Sequence, residues 1–167
     1  RSTHTAMTLG PDTEEDLVSM IRAHIPEGRP YHLHGSPPCQ EFTAMKAVRG
    51  ERSPARGIKL VEWYLRLVAR LRPWSWSMEE VAHPMVHRAL SEAHAQDPKL
   101  VAYVPAVHMS EYGVPQTRRR CIAGSPRTIA RLVEDVRLRA RAPAIREVLT
   151  PPEGATLMMT SLGKVPD

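Results

Sequence analysis

The sequence predicts an α/β fold, and three observations lead to this prediction. Strand-like and helix-like segments alternate along the chain with about 30–40 residues per strand–helix unit, which is typical of a parallel sheet covered by helices. Two of the strand-like segments end at chemically reactive side chains, Cys39 and Glu79, and such sheets bind ligands beyond the carboxyl ends of their strands. The length of 167 residues suits one domain.

The first predicted helix spans residues 12–25. Acidic residues fill its first turn, Asp12 or Thr13 can cap it, and apolar residues recur at helical spacing after them. A short strand is predicted over residues 30–36, where apolar and polar residues alternate until two prolines stop the segment.

The middle of the chain predicts a loop, a long helix and a second strand. Residues 44–56 are polar and rich in arginine, which indicates a loop, and residues 57–72 place apolar side chains on one helical face. Residues 74–81 alternate with a period of two, so we expect a strand whose Trp74 and Trp76 pack on the same side.

The remaining segments continue the alternation. They predict a helix over 84–96, a strand over 101–109 that Pro105 interrupts, a turn over 112–115, an apolar strand over 120–124 and a basic helix over 129–140. Residues 143–167 are rich in loop-forming residues.

The composition permits a nucleic-acid partner and argues against other classes. The net charge is +5 and the pI about 9.6, which suits a polyanion without requiring one. Two cysteines, Cys39 and Cys121, cannot build a disulfide framework, so we expect a reducing compartment. No apolar run approaches the ~18 residues of a membrane span, so no membrane association is expected.

Three short segments carry the chemistry of this sequence. Residues 35–43 read GSPPCQEFT, which places Cys39 just after a strand on a loop that two prolines stiffen. An isolated cysteine is more often a small core residue, but a proline-stiffened loop after a strand presents the side chain rather than burying it. Residues 72–81 read RPWSWSMEEV and end a strand at Glu79, and residues 112–120 read YGVPQTRRR.

Together these segments resemble the motifs of DNA cytosine-5 methyltransferases. Residues 35–43 follow the nucleophile motif Gly-x-Pro-Pro-Cys-Gln-x-Phe-Ser, with Thr43 in place of the serine. Residues 79–81 are similar to a Glu-Asn-Val strand end, with Glu80 where the family has asparagine. Residues 112–120 match Tyr-Gly-x-Pro-Gln-x-Arg-x-Arg, and all three motifs occur in the order and spacing of the family.

The resemblance implies methyl transfer to C5 of a flipped cytosine through a covalent enzyme–base adduct. Addition of the Cys39 thiolate to C6 makes C5 nucleophilic enough to attack a methyl group. Glu79 is expected to bind the ring at N3 and Arg120 to place positive charge at O2. Arg118 is expected near the cysteine and the DNA phosphate.

The resemblance also implies a cofactor and a substrate. S-adenosylmethionine is the expected methyl donor, with Pro38 and Leu60 at the cofactor pocket, although a leucine on a helix face is more often plain core. Double-stranded DNA is the expected partner, with Gln40 and Thr43 as DNA contacts beside the two arginines. The base must leave the duplex stack to reach such a site. Enzymes of this kind act in restriction–modification.

The resemblance covers only the middle of the family. The methyl-donor site of the family begins with a Phe-x-Gly-x-Gly turn, and the 38 residues before Cys39 contain none. We therefore expect the catalytic half of a Rossmann-like methyltransferase sheet over residues 1–142, with its first strands missing. Residues 143–167 are expected to lead into a missing target-recognition region. A missing segment or a partner chain is expected to carry the cofactor-binding half, because an incomplete sheet exposes an unpaired edge.

Three other interpretations are weaker or remain open. The chain can instead be a catalytically inactive, methyltransferase-like subunit that binds DNA or serves assembly. An enzyme that acts on a free pyrimidine nucleotide, similar to thymidylate synthase, fits the Pro-Pro-Cys segment but not the other two. His83 and His87 have the i, i+4 spacing of metal ligands, yet Pro84 lies between them and no second pair completes a site, so no metal is expected.

Overall fold

The computed structural model of the chain describes residues 6–42, 54–112 and 118–137. The helices are α1 (Glu14–His24), α2 (Pro54–Leu71), α3 (Pro84–Gln96) and α4 (Pro126–Arg137), and the strands are β1 (His32–Gly35), β2 (Ser75–Val81), β3 (Ala102–His108) and β4 (Arg119–Gly124). Short 3-10 turns span Pro11–Thr13, Cys39–Phe42 and Met109–Tyr112. The predicted α/β alternation is confirmed.

The four strands form one sheet in the order β1-β2-β4-β3. β1 and β2 are parallel, but β4 runs antiparallel to both of its neighbours. The expectation of a fully parallel sheet is therefore wrong for β4. Only residues 109–118 separate β3 from β4, and a parallel connection needs a crossover of about a dozen residues or more, so the chain turns back on itself.

Helices cover both faces of this sheet. The sheet and its helices form part of a Rossmann-like fold. On one face, α2 and α3 pack over the buried side chains of Trp76 and Met78. The indole of Trp76 also donates a hydrogen bond to the carbonyl of Leu100 at 2.9 Å, which ties β2 to the segment before β3. On the other face, α4 contacts β2, β3 and β4, and Val107 and Ile129 are buried outside the main core.

The alternation of β2 positions the chemistry. Trp76, Met78 and Glu80 point into the main core and are almost fully buried, whereas Ser77 and Glu79 lie on the other face and are partly exposed. A side-chain period of two forces this alternation. Glu79 is thus accessible at the carboxyl end of its strand while the adjacent carboxyl group is buried.

Several predicted boundaries differ from the structure. Helix α2 begins at Pro54 rather than at residue 57, and α4 begins at Pro126 rather than at residue 129. Trp74 lies before β2 with 60% of its surface exposed, so the expectation that it packs beside Trp76 is wrong. Its ring instead lies under the guanidinium of Arg127, with 4.9 Å from the guanidinium carbon to the ring centroid.

The start of α1 differs from the expectation in one detail. Thr13 occupies the N-cap position, but its hydroxyl donates to the carbonyl of Thr8 at 2.7 Å instead of accepting from the first turn of the helix. The turn predicted at residues 112–115 falls largely outside the described residues, as do the predicted lead-in over residues 143–167 and the end of the basic helix. Within the part of the chain that the structure describes, no helix is long and apolar enough to cross a membrane.

Candidate active site

Two of the three motif segments meet the third at the carboxylate of Glu79. The guanidinium Nε of Arg120 forms an ion pair with Oε1 of Glu79, and Nη2 of Arg118 lies 4.0 Å from the same oxygen. From the nucleophile loop, the hydroxyl of Ser36 donates to Oε2 of Glu79 at 3.1 Å. Segments that lie about 40 residues apart in the sequence therefore converge on one side chain.

The sheet register explains this convergence. In the parallel pair, Gly35 lies opposite Met78, so the chain that leaves β1 passes directly beside Glu79. In the antiparallel pair, Val81 lies opposite Arg120. Arg120 is therefore a diagonal neighbour of Glu79 on the same face, at a separation that long side chains bridge.

The predicted nucleophile lies on a short turn that packs against the core. Cys39 begins the Cys39–Phe42 turn and is partly exposed. Phe42 at the other end of this turn is buried, and its ring lies 5.0 Å from that of His83, centroid to centroid. The turn contacts both α2 and β2. This anchoring fixes the turn that carries Cys39 beside β2, the strand that carries Glu79.

A tyrosine from α2 fixes the end of β1. The ring of Tyr64 contacts the α-carbon side of Gly35 so closely that a Cβ there would lie 2.6 Å from Cζ and 2.9 Å from Cδ2 of the ring. The Tyr64 hydroxyl lies 3.1 Å from the carbonyl oxygen of Ser77 and 3.3 Å from that of Leu33. Burial raises the pKa of this phenol well above its usual value, so the hydroxyl stays a donor.

The charges at this site are unequally exposed. The side chain of Arg120 is 13% exposed, that of Glu79 31% and that of Arg118 48%. Nη1 of Arg120 also donates to the carbonyl of Arg119 at 2.8 Å. A mostly buried guanidinium next to a partly exposed carboxylate provides fixed positive charge and an accessible acid or base.

Glu80 and Cys121 form a second, buried pair of ionisable groups. Glu80 is fully buried, and its Oε2 accepts the backbone amide of Val81 at 2.6 Å. Burial raises the pKa of Glu80 to about 7, with a further contribution from the negative charge of Glu79. Cys121 lies opposite Glu80 in the register, and burial, together with Glu80, raises the pKa of its thiol to about 12.

The two residues predicted to contact the cofactor line one cavity. Pro38 and Leu60 both border a cavity of about 620 Å³ between α1, β1 and α2, a volume typical of small-molecule sites. Most of its other walls are apolar or aromatic: Leu9, Leu17, Ile21, Leu33, Trp63, Tyr64 and Leu67. Ser36 also borders this cavity, so the cavity reaches the loop that carries the predicted nucleophile.

The predicted DNA contacts lie only partly within the described residues. Gln40 is exposed on the turn after Cys39, and Arg118 is about half exposed just before β4. Thr43 lies outside the described residues. No cluster of three or more His, Cys, Asp or Glu side chains close enough to hold a metal ion occurs in residues 6–42, 54–112 and 118–137.

Sequence reasoning did not identify Ser36 or Tyr64 as parts of this site. Ser36 occupies the variable position of the nucleophile motif, so the motif itself gives no signal for it. Tyr64 lies on the apolar face of the helix predicted over residues 57–72, and this position indicates only packing. Gly35, the first residue of that motif, is the available signal, because a glycine at a strand end often marks close approach of another group.

Comparisons with known proteins find similar solved structures. No family model and no curated protein matches the chain. A solved structure of a proposed DNA modification methyltransferase encoded within a prophage (E. coli) is 21% identical to it, with a TM-score of 0.45. The match covers 67% of this chain and 31% of that protein, so the chain spans under a third of the length of the protein that it matches.

Proposed function

We propose that this chain is the catalytic segment of a DNA cytosine-5 methyltransferase. In this proposal Cys39 forms a covalent bond to C6 of a flipped cytosine and the methyl group comes from S-adenosylmethionine. The observation that carries the proposal is the convergence at Glu79 of an ion pair with Arg120 and a hydrogen bond from Ser36 on the nucleophile loop.

The residues have complementary roles in this reaction. The Cys39 thiolate donates an electron pair to C6, and the C5–C6 double-bond electrons move toward C5 and the ring. Glu79 in its protonated form donates its proton to N3, where the negative charge accumulates, and takes it back when the thiolate leaves, while the fixed charge of Arg120 faces O2. After C5 has taken the methyl group, loss of the C5 proton to a base returns an electron pair that expels the thiolate. The double bond is thereby restored.

S-adenosylmethionine supplies an electrophilic methyl group in this scheme. The cavity that Pro38 and Leu60 border fits the flat, largely apolar adenine ring, because its walls are aliphatic and aromatic. The described lining offers few charged groups for the ribose and the amino-acid part of the cofactor. We propose that a further segment or a partner chain contacts that part, and that the residues of this chain hold the ring end next to Cys39.

Duplex DNA is the proposed substrate. The net charge of +5 and the half-exposed guanidinium of Arg118 beside the site favour a phosphate backbone, and Gln40 is exposed on the turn that carries the nucleophile. Thr43 completes the proposed set of contacts. A base that is flipped out of the stack can enter between this turn and Glu79.

The decisive experiment traps the cysteine on DNA. A random-sequence duplex with 5-azacytosine in place of cytosine is incubated with the protein, and covalent adducts are resolved on a denaturing gel and located by peptide mass spectrometry. Nitrogen at ring position 5 makes C6 more electrophilic, so the thiolate adds without a cofactor and the adduct is captured by rapid denaturation. We expect an adduct at Cys39 that Cys39→Ser abolishes and the matched control Cys121→Ala retains.

The other outcomes have definite meanings. An adduct at Cys121, or equal adduct formation by Cys39→Ser, contradicts the proposed nucleophile. Salt-sensitive duplex binding without any adduct supports the inactive, DNA-binding subunit instead. A requirement for S-adenosylmethionine is tested separately with 5-fluorocytosine DNA, in which the adduct becomes permanent only after methyl transfer, because the fluorine that replaces the C5 hydrogen cannot leave as a proton does.

A further inference from the structure

A serine hydroxyl connects the loop of the nucleophile to the acid on β2. Ser36 follows the last residue of β1 and precedes Cys39 by three residues. Its Oγ lies 3.1 Å from Oε2 of Glu79 and 3.5 Å from the carbonyl oxygen of the same residue. Both acceptors belong to Glu79, so the hydroxyl contacts one residue of the neighbouring strand twice.

The two oxygens of the Glu79 carboxylate have different partners. Oε1 is held by Arg120 and lies 4.0 Å from Arg118, whereas Oε2 receives only the hydroxyl of Ser36 among the contacts of the described residues. A carboxylate has about four lone-pair positions. Fixing one oxygen from the arginine side and the other from the serine side sets the plane of the group and leaves a position on Oε2 for the protonated N3 of the ring.

We propose that Ser36 is a positioning residue that orients the carboxylate of Glu79 toward the target base. This inference rests on the proposed function, because the base is the ligand that Glu79 would bind. Ser36 acts through Glu79 and forms no bond to the reacting carbon. Its hydroxyl also links the position of the nucleophile loop to that of the acid, since the same loop carries Cys39 three residues later.

Ser77 provides a matched control for this proposal. It lies on β2 two residues before Glu79 and on the same face of the sheet, and its hydroxyl is within 2.9 Å of ring nitrogens of His32 and His34. Among the described residues, its hydroxyl therefore contacts histidines of β1 and not the Glu79 carboxylate. Ser77→Ala removes the same atom as Ser36→Ala from a neighbouring position without removing the proposed contact.

The first test measures the rate of adduct formation on 5-azacytosine duplex DNA and the dissociation constant of the same duplex. Ser36→Ala should slow adduct formation about three- to tenfold, the usual effect of losing one hydrogen bond, and leave the dissociation constant within twofold. Ser36→Thr should restore most of the rate because it keeps the hydroxyl, and Ser77→Ala should react like the wild type. If Ser36 only supported the fold, Ser36→Ala would change the rate of adduct formation and the dissociation constant together.

The second test detects the contact without any reaction. Urea unfolding of Ser36→Ala, Glu79→Ala and the double variant forms a thermodynamic cycle. We expect the two changes to be coupled by about two- to fivefold in the unfolding equilibrium constant, within the range for one hydrogen bond at an exposed site.

Each outcome separates the inference from the proposed function. Additive effects in the cycle overturn the contact and with it the inference, whatever the protein does to DNA. Equal adduct rates for Ser36→Ala and the wild type overturn the positioning role while leaving the proposed function intact. A wild-type protein that forms no adduct contradicts the proposed function and any role of Ser36 in it, and the cycle then still decides whether the hydrogen bond exists.

Discussion

The carboxylate of Glu79 and the guanidinium of Arg120 form an ion pair across two neighbouring strands that run in opposite directions. The strands come from distant parts of the sequence, and the reversal of β4 brings them together. Only 13% of the Arg120 side chain is exposed, against 31% of Glu79. A charge with so little access to water depends on its partner, so the pair holds Glu79 at a fixed place while leaving part of its carboxylate accessible.

The first prediction concerns the charge of Arg120. Arg120→Met keeps most of the packed aliphatic stem and removes the guanidinium, so we expect adduct formation on 5-azacytosine DNA to fall by about 100-fold, as when a preorganised electrostatic group is lost from an active site. The rate is measured by quenched time courses on denaturing gels. Arg119→Met is the control, because Arg119 is exposed on the opposite side of β4. Equal losses in both variants would show that the effect reflects general charge and not the pair.

The second prediction concerns the contact of Gly35 with Tyr64. Gly35→Ala places a Cβ 2.6 and 2.9 Å from atoms of a ring that is itself buried, so we expect a loss of about 1–3 kcal/mol in the free energy of unfolding. Gly10→Ala is the control, since a Cβ at Gly10 meets nothing within 4 Å and its backbone is extended. Urea unfolding followed by tryptophan fluorescence measures both.

The same contact gives a second check. Replacing Tyr64 with leucine opens space beside residue 35, so Gly35→Ala should cost less in that background than in the wild type. If Gly35→Ala is neutral in the wild type, or if its cost is unchanged beside leucine, the close approach of ring and backbone is contradicted.

The third prediction concerns the buried carboxyl group of Glu80. Its pKa is raised to about 7, chiefly by burial, against 4.5 for the ordinary group. The folded protein therefore binds more protons than the unfolded chain between these values, and the contribution of Glu80 to stability falls as pH rises from 4.5 to 7. Glu80→Gln keeps the shape of the neutral acid and cannot ionise, so the variant should not lose this stability as the pH rises.

We expect Glu80→Gln to match the wild type near pH 4.5 and to exceed it by roughly 1–3 kcal/mol at pH 8, after allowance for screening by water. Urea unfolding at a series of pH values measures the difference between the two proteins. Glu134→Gln, at an exposed position of α4, is the control for removing a carboxylate. A wild-type minus variant difference that stays constant with pH would contradict a buried, neutral Glu80.

Much of the fold was predictable from the sequence because the periodicity of these segments is strong. Prolines mark the start of α3 and the end of α2, and the alternation in β2 is regular. The direction of β4 was not predictable from periodicity, since a strand has the same pattern in either orientation. The exposure of Trp74 was also missed, because extending the alternation by one residue placed it inside a strand that begins at Ser75.

The sequence predicted those residues of the candidate site that are reactive or charged and also belong to one of the motifs. The motifs indicated Glu79, Arg118 and Arg120, and the structure brings these three together. They could not indicate Ser36 or Tyr64, because neither role depends on residue type alone. Ser36 reaches Glu79 because of the register between β1 and β2. Tyr64 contacts Gly35 because α2 lies over the end of β1. Both contacts are tertiary and cannot be inferred from residue type.

The fourth prediction concerns the cavity beside Pro38. Leu60→Trp fills part of the 620 Å³ space, so we expect the affinity for S-adenosylmethionine to fall at least about tenfold through loss of apolar contact and steric exclusion. Leu65→Trp is the matched control, because Leu65 lies on the same helix but borders the groove between α2 and α3. Isothermal calorimetry or ligand-observed NMR measures the affinity. Equal binding by the wild type and Leu60→Trp would place the cofactor elsewhere.

The fifth prediction concerns the phosphate contact proposed for Arg118. Its side chain is 48% exposed and lies 4.0 Å from Glu79, so one face of the guanidinium remains available to DNA. Each neutralised phosphate changes the slope of log affinity against log salt by about 0.9. Arg118→Ala should therefore reduce this slope by about one and weaken binding to all duplex sequences to a similar degree.

Arg88→Ala is the control for this measurement, because Arg88 is 82% exposed on α3 and already pairs with Glu92. Fluorescence anisotropy with a labelled random duplex between about 50 and 200 mM salt gives the slopes, a range over which phosphate contacts dominate the change in affinity. A slope that falls for Arg88→Ala but not for Arg118→Ala would put the DNA on the α3 side of the molecule, away from Glu79. The reverse result places the phosphate backbone at the edge of the site, next to the acid that the target base must reach.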